Sequence, residues 1–237
     1  MNSDRPSLRV ALWPWRTVLS VQNPETLTPS TEDTATADMR QALLEAGKEE
    51  FANFGYDGAR LERIAAKAGC AKRMLYYYFG NKKDVYLAVI EQCYSDIRAS
   101  EQQLALDTLP PREALRALAV QSFHYHENNR NFTRLVLQEN FQGGEMLRQV
   151  PTMDALRQAA LEPLQRILDR GQQSGIFRAG LEAADVHYLI SALSGFRVDH
   201  ASTWAGLLQI DLLSDPIRSR HLQLLLDQLD AMVALQP

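Results

Sequence analysis

The chain has 237 residues, 46% of them apolar and 23% charged, with a formal net charge of −4. Those values fit a soluble globular protein with a sizeable core, and no apolar run approaches the roughly 20 residues needed to cross a bilayer. Two cysteines, Cys70 and Cys93, are too few for a secreted disulfide framework, so the expected location is the reducing cytoplasm, with no membrane partner.

Residues 1–37 hold Pro6, Pro14, Pro24 and Pro29 ahead of a polar TPSTEDTATAD run, and no helical or strand period survives there. A flexible tail is expected over 1–37. Arginines and a proline interrupt its apolar part, so it reads poorly as a signal peptide. Trp13 and Trp15 are unusual in such a tail. Either they dock elsewhere or the natural start lies downstream, at Met39 for example.

From Asp38 onward the pattern is helical almost throughout. DMRQALLEAGKEEFANFG places Leu43, Leu44, Ala46, Phe51 and Phe54 at helical intervals, with Asp38 as N-cap and Gly55 as the stop. ARLERIAAKAG is short, and AKRMLYYYF follows a tight break at Gly69. A long helix is then predicted from Lys82 to about Leu106, another from Pro110-Pro111 to about Asn128, and a shorter one over Asn131 to Phe141. Beyond the Gly143-Gly144 break come helices over about Thr152 to Gln173, Leu181 to Leu208 (possibly in two pieces) and Asp215 to Leu235, the last with Pro216 in its first turn. Nothing alternates with period two for long enough to make a strand. The expected fold class is all-α, with about nine helices.

Charge is unevenly placed. Between Arg60 and Lys83 lie seven basic residues and one acid, Glu62, so this stretch carries +6 and the rest of the chain −10. A basic island on an acidic body is an electrostatic footprint for phosphate, although an isolated cluster is also what a solvated helix face looks like. Within the island, Ala65 precedes Gly69 by four residues and Leu75 follows it by six. A helix-turn-helix needs a small residue, a turn glycine and a buried aliphatic at those places.

The stretch FANFGYDGARLERIAAKAGCAKRMLYYYFGNKKDVYLAVI, residues 51–90, resembles the TetR (TetR/AcrR) family of transcriptional regulators, whose pattern reads FxxxGY…IAxxAGVSxxTLYxYFxxKxxL. The agreement holds in register over some 40 residues, and beyond about residue 100 only the helix pattern is shared. The resemblance implies three domain-level parts: a flexible tail over 1–37, a three-helix DNA-binding helix-turn-helix domain over 38–84, and an effector-binding and dimerisation domain over 85–237.

Helical angle sorts the aromatic run. With Lys72 at 0°, Tyr76 falls near 40°, Arg73 near 100° and Tyr77 near 140°, whereas Ala71, Leu75 and Tyr78 cluster near 240–300°. Tyr76 and Tyr77 thus sit with the positive charge, and Leu75, Tyr78 and Phe79 with the core. In the family the positions matching Tyr76 and Lys82 hold the DNA backbone, and those matching Lys72, Arg73 and Tyr77 line the major-groove face. Arg73 is the first choice for reading guanine. Packing of the two tyrosines at helix junctions is the other reading. Departures from the pattern include Ala71 and Met74 where the family often has Ser or Thr, Gly80 where Pro or a polar residue is common, and Ala59-Arg60 where a hydroxyl usually caps the second helix. Arg60 offers a cation to phosphate instead.

The resemblance further implies a homodimer on a palindromic double-stranded DNA operator, with a small-molecule effector held in the body. Leu222, Leu225, Leu226 and Leu229 on the last helix, with Leu189, Leu193 and Arg197 on the one before, are the expected dimer contacts; the alternative is a helix wholly buried in a monomer. Phe123, His124, Phe132, Glu139 and Asn140, joined by His187, are the expected effector lining, each also readable as an ordinary hydrogen-bonded or packed residue. His124 and His126 diverge on a helix and the cysteines have no zinc spacing, so neither a metal nor a cofactor is expected. There is no Walker motif, no G-x-S-x-G and no H-E-x-x-H, which argues against an enzyme. The expected function is a ligand-responsive repressor. A protein of this fold governed by a protein partner, or acting architecturally, is the second reading, and a closed cavity of mixed polarity would tell them apart.

Overall fold

The computed structural model describes residues 31–235, and every regular element among them is helical. Ten α-helices follow in order: α1 Thr31–Gly58, α2 Leu61–Lys67, α3 Lys72–Phe79, α4 Lys82–Gln102, α5 Pro111–Asn128, α6 Arg130–Phe141, α7 Met153–Gln173, α8 Ala183–Asp199, α9 Ala201–Leu208 and α10 Asp215–Val233. The tenth arises because the segment after Leu181 breaks at His200. One expectation near the N-terminus changes. Helix α1 begins at Thr31, so residues 31–37 are helical and not tail, while residues 1–30, Trp13 and Trp15 included, lie outside the described residues. Gly55 stops the first helical run as expected: its φ of 68° and ψ of 175° lie outside the helical region, and a separate short turn follows to Gly58.

Two apolar cores divide the work. The first gathers Leu43, Phe51, Ile64, Leu75, Val85, Val89 and Ile97, and reaches Phe132 and Leu135 on α6. The second gathers Leu115, Phe123, Leu164, Ile167, Val186, Leu225 and Leu229 from α5, α7, α8 and α10. The expected boundary at residue 84 falls inside α4, whose buried side chains down to Ile97 all serve the first core. A rigid rod thus runs without a joint from the basic island into the body. Among the described residues no helix is long and apolar enough to cross a membrane.

Helix α6 braces that rod. Tyr86 on α4 is fully buried and donates its hydroxyl to Glu139 Oε1 at 2.7 Å, while Glu139 Oε2 accepts the Leu147 amide at 2.9 Å. Burial, and then the neighbouring carboxylate, push the Tyr86 pKa far up, so it stays a donor. The ring also meets Phe51 and Tyr56 edge-on, at 4.9 and 5.1 Å between centroids. On the other side of α6, Gln138 donates to the Ala52 carbonyl and Arg134 to Asn53, both at 3.0 Å, tying it to α1. The tightest approach in the second core is at Gly171, where a Cβ would stand 2.0 Å from the Phe177 ring. Replacing Tyr86 by Phe strands a buried carboxylate oxygen, and urea denaturation should show a loss of about 1–3 kcal/mol.

Candidate functional site

The turn between α2 and α3 is built as the spacing requires. Gly69 adopts φ +71°, the left-handed region, and the Cys70 amide donates back to the Ala65 carbonyl at 2.9 Å. Ala65 and Leu75 are buried where the two helices touch. Neither helix has a side-chain cap of its own. For α2 the cap comes from α1: Glu50 Oε1 accepts the Arg60 amide at 2.8 Å and the Arg63 Nε at 2.7 Å. Burial alone would raise the Glu50 pKa, but the bonds from Arg63 and the Arg60 amide hold it below the usual range. The missing hydroxyl before α2 is therefore replaced by a carboxylate from another helix.

Helix α3 carries its face as the angles indicate. Leu75 is buried, Tyr78 and Phe79 pack against the first core, and Tyr76 and Tyr77 are 47% and 77% exposed, side by side with exposed Lys72 and Arg73. Lys72 Nζ lies 5.5 Å from the centre of the Tyr76 ring and 2.5 Å from Glu62 Oε1. Lys82 opens α4 half-buried, with Nζ over the Tyr56 ring at 5.0 Å and donating to the Asp57 carbonyl at 3.2 Å. Asn81 caps α4, its Oδ1 accepting from the amides of Lys83 and Asp84. Exposed tyrosine hydroxyls, cations and a helix N-terminus facing one way can bind a polyanion and position it.

The +6 of this stretch is partly neutralised at home. Arg63 pairs with Glu50, Lys67 with Glu49 and Lys72 with Glu62. Two of those acids lie on α1, outside the window in which the charge was counted, so the sequence overstates the free charge. Among the described residues Arg60, Arg73, Lys82 and Lys83 have no acidic partner within ion-pair distance. The Arg63 guanidinium is stacked on Phe54 at 4.3 Å and belongs to the scaffold.

In the body, a cavity of about 260 Å³ lies between α4, α5, α6 and α8. Of the six expected lining residues, Phe132 and His187 line it. The other four lie elsewhere, each for a visible reason. Phe123 is sealed in the second core beneath Arg197, whose guanidinium stacks on it at 3.9 Å, and His124 packs edge-on against the Phe123 ring. Glu139 is the strut that holds Tyr86, and Asn140 is exposed, capping the Val136 carbonyl. His126, from the same segment as the expected residues, also lines the cavity, and the polar lining that sequence reading missed comprises Arg98, Ser122, Thr133, Ser191 and Asp199. Ser122 and His126 share a face of α5 with a four-residue step, a signal present in the sequence, but only tertiary packing brings Arg98 and Asp199 to them. Burial lowers the pKa of both His126 and His187 and keeps them uncharged.

The expected dimer contacts also divide. Leu225, Leu226 and Leu229 are buried in the protomer's own second core, and Arg197 is 2% exposed, paired with Glu127. These four therefore hold the protomer together, because α10 turns that stripe inward. Leu189, Leu193 and Leu222 are half-buried, and the apolar groups that the surface presents beside them are Leu224 on α10 with Tyr188 and Phe196 on α8.

Comparison with known proteins agrees with this geometry. The family model described as bacterial regulatory proteins, tetR family, matches residues 43–89, and the one described as tetracyclin repressor-like, C-terminal domain, matches 111–229. The transcriptional repressor NicS of Pseudomonas putida is 29% identical over 188 residues, covering 79% of this chain and 89% of that protein. The regulator RutR of Escherichia coli is 43% identical over 58 residues, covering 24% and 27% respectively. Among solved structures, FadR of Bacillus subtilis in complex with stearoyl-CoA aligns with a TM-score of 0.61 at 24% identity, covering 78% and 97%. PfmR of Thermus thermophilus aligns at 0.59 and 22%, covering 89% and 100%. Both likenesses speak to the fold.

Glu62 already holds Lys72 at 2.5 Å, so any phosphate that takes Lys72 as a partner must displace it. Glu62→Gln should tighten binding to duplex DNA of arbitrary sequence by about three- to tenfold at low salt, read by fluorescence anisotropy, with the gain shrinking as salt rises.

Proposed function

The chain belongs to the tetR family of bacterial regulatory proteins, and from that premise we propose that it is a repressor whose homodimer holds a palindromic operator and lets go when a small molecule fills the body cavity. The observation that carries this reading is the course of α4. Its first residue, Lys82, stands at the edge of the exposed α3 face, and its second half lines the cavity through Tyr94, Ile97 and Arg98. A ligand that prefers one position of that rod changes the placement of α3, which is the differential affinity an effector needs. The cavity has the mixed polarity expected of a small-molecule site but opens partly to solvent, so it favours a small-molecule effector over a protein partner through its lining and not through closure. The repressor reading also has the support of the relative NicS, named as one.

In this reading Tyr76 and Lys82 hold phosphates, Lys72 and Tyr77 line the groove, Arg73 reads a base, and Arg60 adds a phosphate contact from the start of α2. The two α3 helices of a dimer would meet successive major grooves on one face of the duplex. The exposed Leu224, Tyr188 and Phe196, with half-buried Leu189, Leu193 and Leu222, supply the dimer surface.

Selection of bound sequences from a random duplex pool tests the central claim. A near-palindrome should emerge and recur near the protein's own gene, and a pool that stays random would count against operator recognition. On the selected site, Tyr76→Phe and Lys82→Ala should each weaken binding at least about tenfold, and only Lys82→Ala, which removes a charge, should flatten its salt dependence. Arg73→Ala should instead relax the preference at one base pair of each half-site, by about 1–3 kcal/mol.

A further inference from the structure

Two cavities of the body meet at one side chain. Arg98, near the end of α4, lines the 260 Å³ cavity and also a cleft of about 380 Å³ between α4, the turn at Leu106–Thr108 and α7. Its side chain is only 11% exposed. A guanidinium carries five N–H donors, and among the described residues its one partner is the Glu101 carboxylate, with Nη1 to Oε2 at 2.8 Å. None of the remaining N–H groups meets a protein acceptor there, and none is sealed away from solvent-sized space. A largely buried cation whose free donors open onto a cavity, with no protein acceptor there, can receive an anionic group.

We propose that the 260 Å³ cavity takes a small organic acid, its carboxylate on Arg98 and its apolar body against Tyr94, Phe132 and Val136. This rests on the reading of that cavity as the effector site, and adds the chemical class of the ligand. Arg98 is the only lysine or arginine in the lining, and a planar guanidinium matches a carboxylate with two parallel bonds. His126 Nδ1 lies 2.7 Å from the Ser122 carbonyl, so that nitrogen carries the proton and Nε2 is left as an acceptor. His126 and Asp199 lie together, each 3.7 Å from the position of a Cβ on Gly195. They offer acceptors to a hydroxyl or amide N–H elsewhere on the ligand. A phosphate dianion fits less well, because it brings two charges to one cation and faces Asp199.

The acid has one competitor, Glu101. Burial pushes the Glu101 pKa up to about 7, Arg98 opposing it, so the carboxylate gives up its partner by taking a proton near neutral pH. Arg98 stands sixteen residues after Lys82 on one helix, about 24 Å along its axis. Replacement of a partner on the same helix by a ligand anchored on α5, α6 and α8 transfers a restraint from within α4 to the body around it.

The test measures thermal shift and calorimetric binding on the full chain with benzoate, phenylacetate and hexanoate, each beside its neutral primary amide. At least one acid should bind, with its amide at least about tenfold weaker. Glu101→Gln alone should strengthen that acid about tenfold by removing the competitor. Arg98→Met combined with Glu101→Gln, which leaves no unpaired buried charge behind, should erase the preference for acid over amide. Equal binding of acids and amides, acid binding that survives in the double variant, or no binding by any of the acids would each overturn the proposal. Operator binding is read on the same samples and keeps the two claims apart. A neutral compound that releases operator through this cavity would end the organic-acid inference and leave the effector reading standing. Cavity ligands that never alter operator affinity would end the effector reading, whatever their charge.

Discussion

The hydrogen bond from Tyr86 to Glu139 joins α4 to α6 inside a protein core, and the placement of the other parts depends on that joint. A carboxylate removed from water must have its oxygens satisfied, and here a tyrosine hydroxyl and a backbone amide divide the task. Both donors meet the same Glu139 side chain, one from α4 and one from the turn after α6, so this face of α6 is held toward α4. With α6 also tied to α1 through Gln138 and Arg134, the helix-turn-helix and the body share one framework. The aromatic edges of Phe51 and Tyr56 around Tyr86 leave no room for the joint to slide.

Seen from α4, the body is asymmetric. The helix contributes its apolar side to the first core, yet its last turns stand at the margin of the second, where Arg98 and Glu101 form an ion pair away from bulk water. A buried pair of this kind contributes little net stability against a hydrophobic alternative. Its presence fits a role in recognition better than one in holding the fold. The second core, by contrast, is sealed by rigid packing at Gly171 and Phe177 and by Arg170, which caps the carbonyls of Leu106, Asp107 and Leu109.

Much of this was legible in the sequence where periodicity and turn chemistry are local. The angular split of Tyr76 and Tyr77 from Leu75 and Tyr78 needed only 3.6 residues per turn, and the bend at Gly69 only the freedom of glycine. What escaped depended on contacts between distant segments. Glu50 caps α2 from ten residues upstream, and Glu49 neutralises Lys67, so a count of charge along a window could not see either. Glu139 and Phe123 read as pocket residues because polar and aromatic types suit a pocket. Their burial is real, but one faces a strut and the other a core. Leu225, Leu226 and Leu229 read as a surplus for a partner because the sequence does not disclose how wide a stripe the protomer itself consumes. The helical start at Thr31 was hidden by threonines and acids that favour caps and turns yet tolerate a first turn.

The ion pairs within the basic island bear on time as well as affinity. A regulator must leave millions of wrong sequences quickly before it reaches the right one, and every unopposed cation lengthens each stop. Under the proposed function, the pairing of Lys67 and Lys72 with Glu49 and Glu62 would leave the protein a weaker hold on an arbitrary stretch of duplex. On that reading the hold would become full only where base contacts repay the exchange of partners. Glu62 would then shorten each unproductive encounter and so act on the duration of the search.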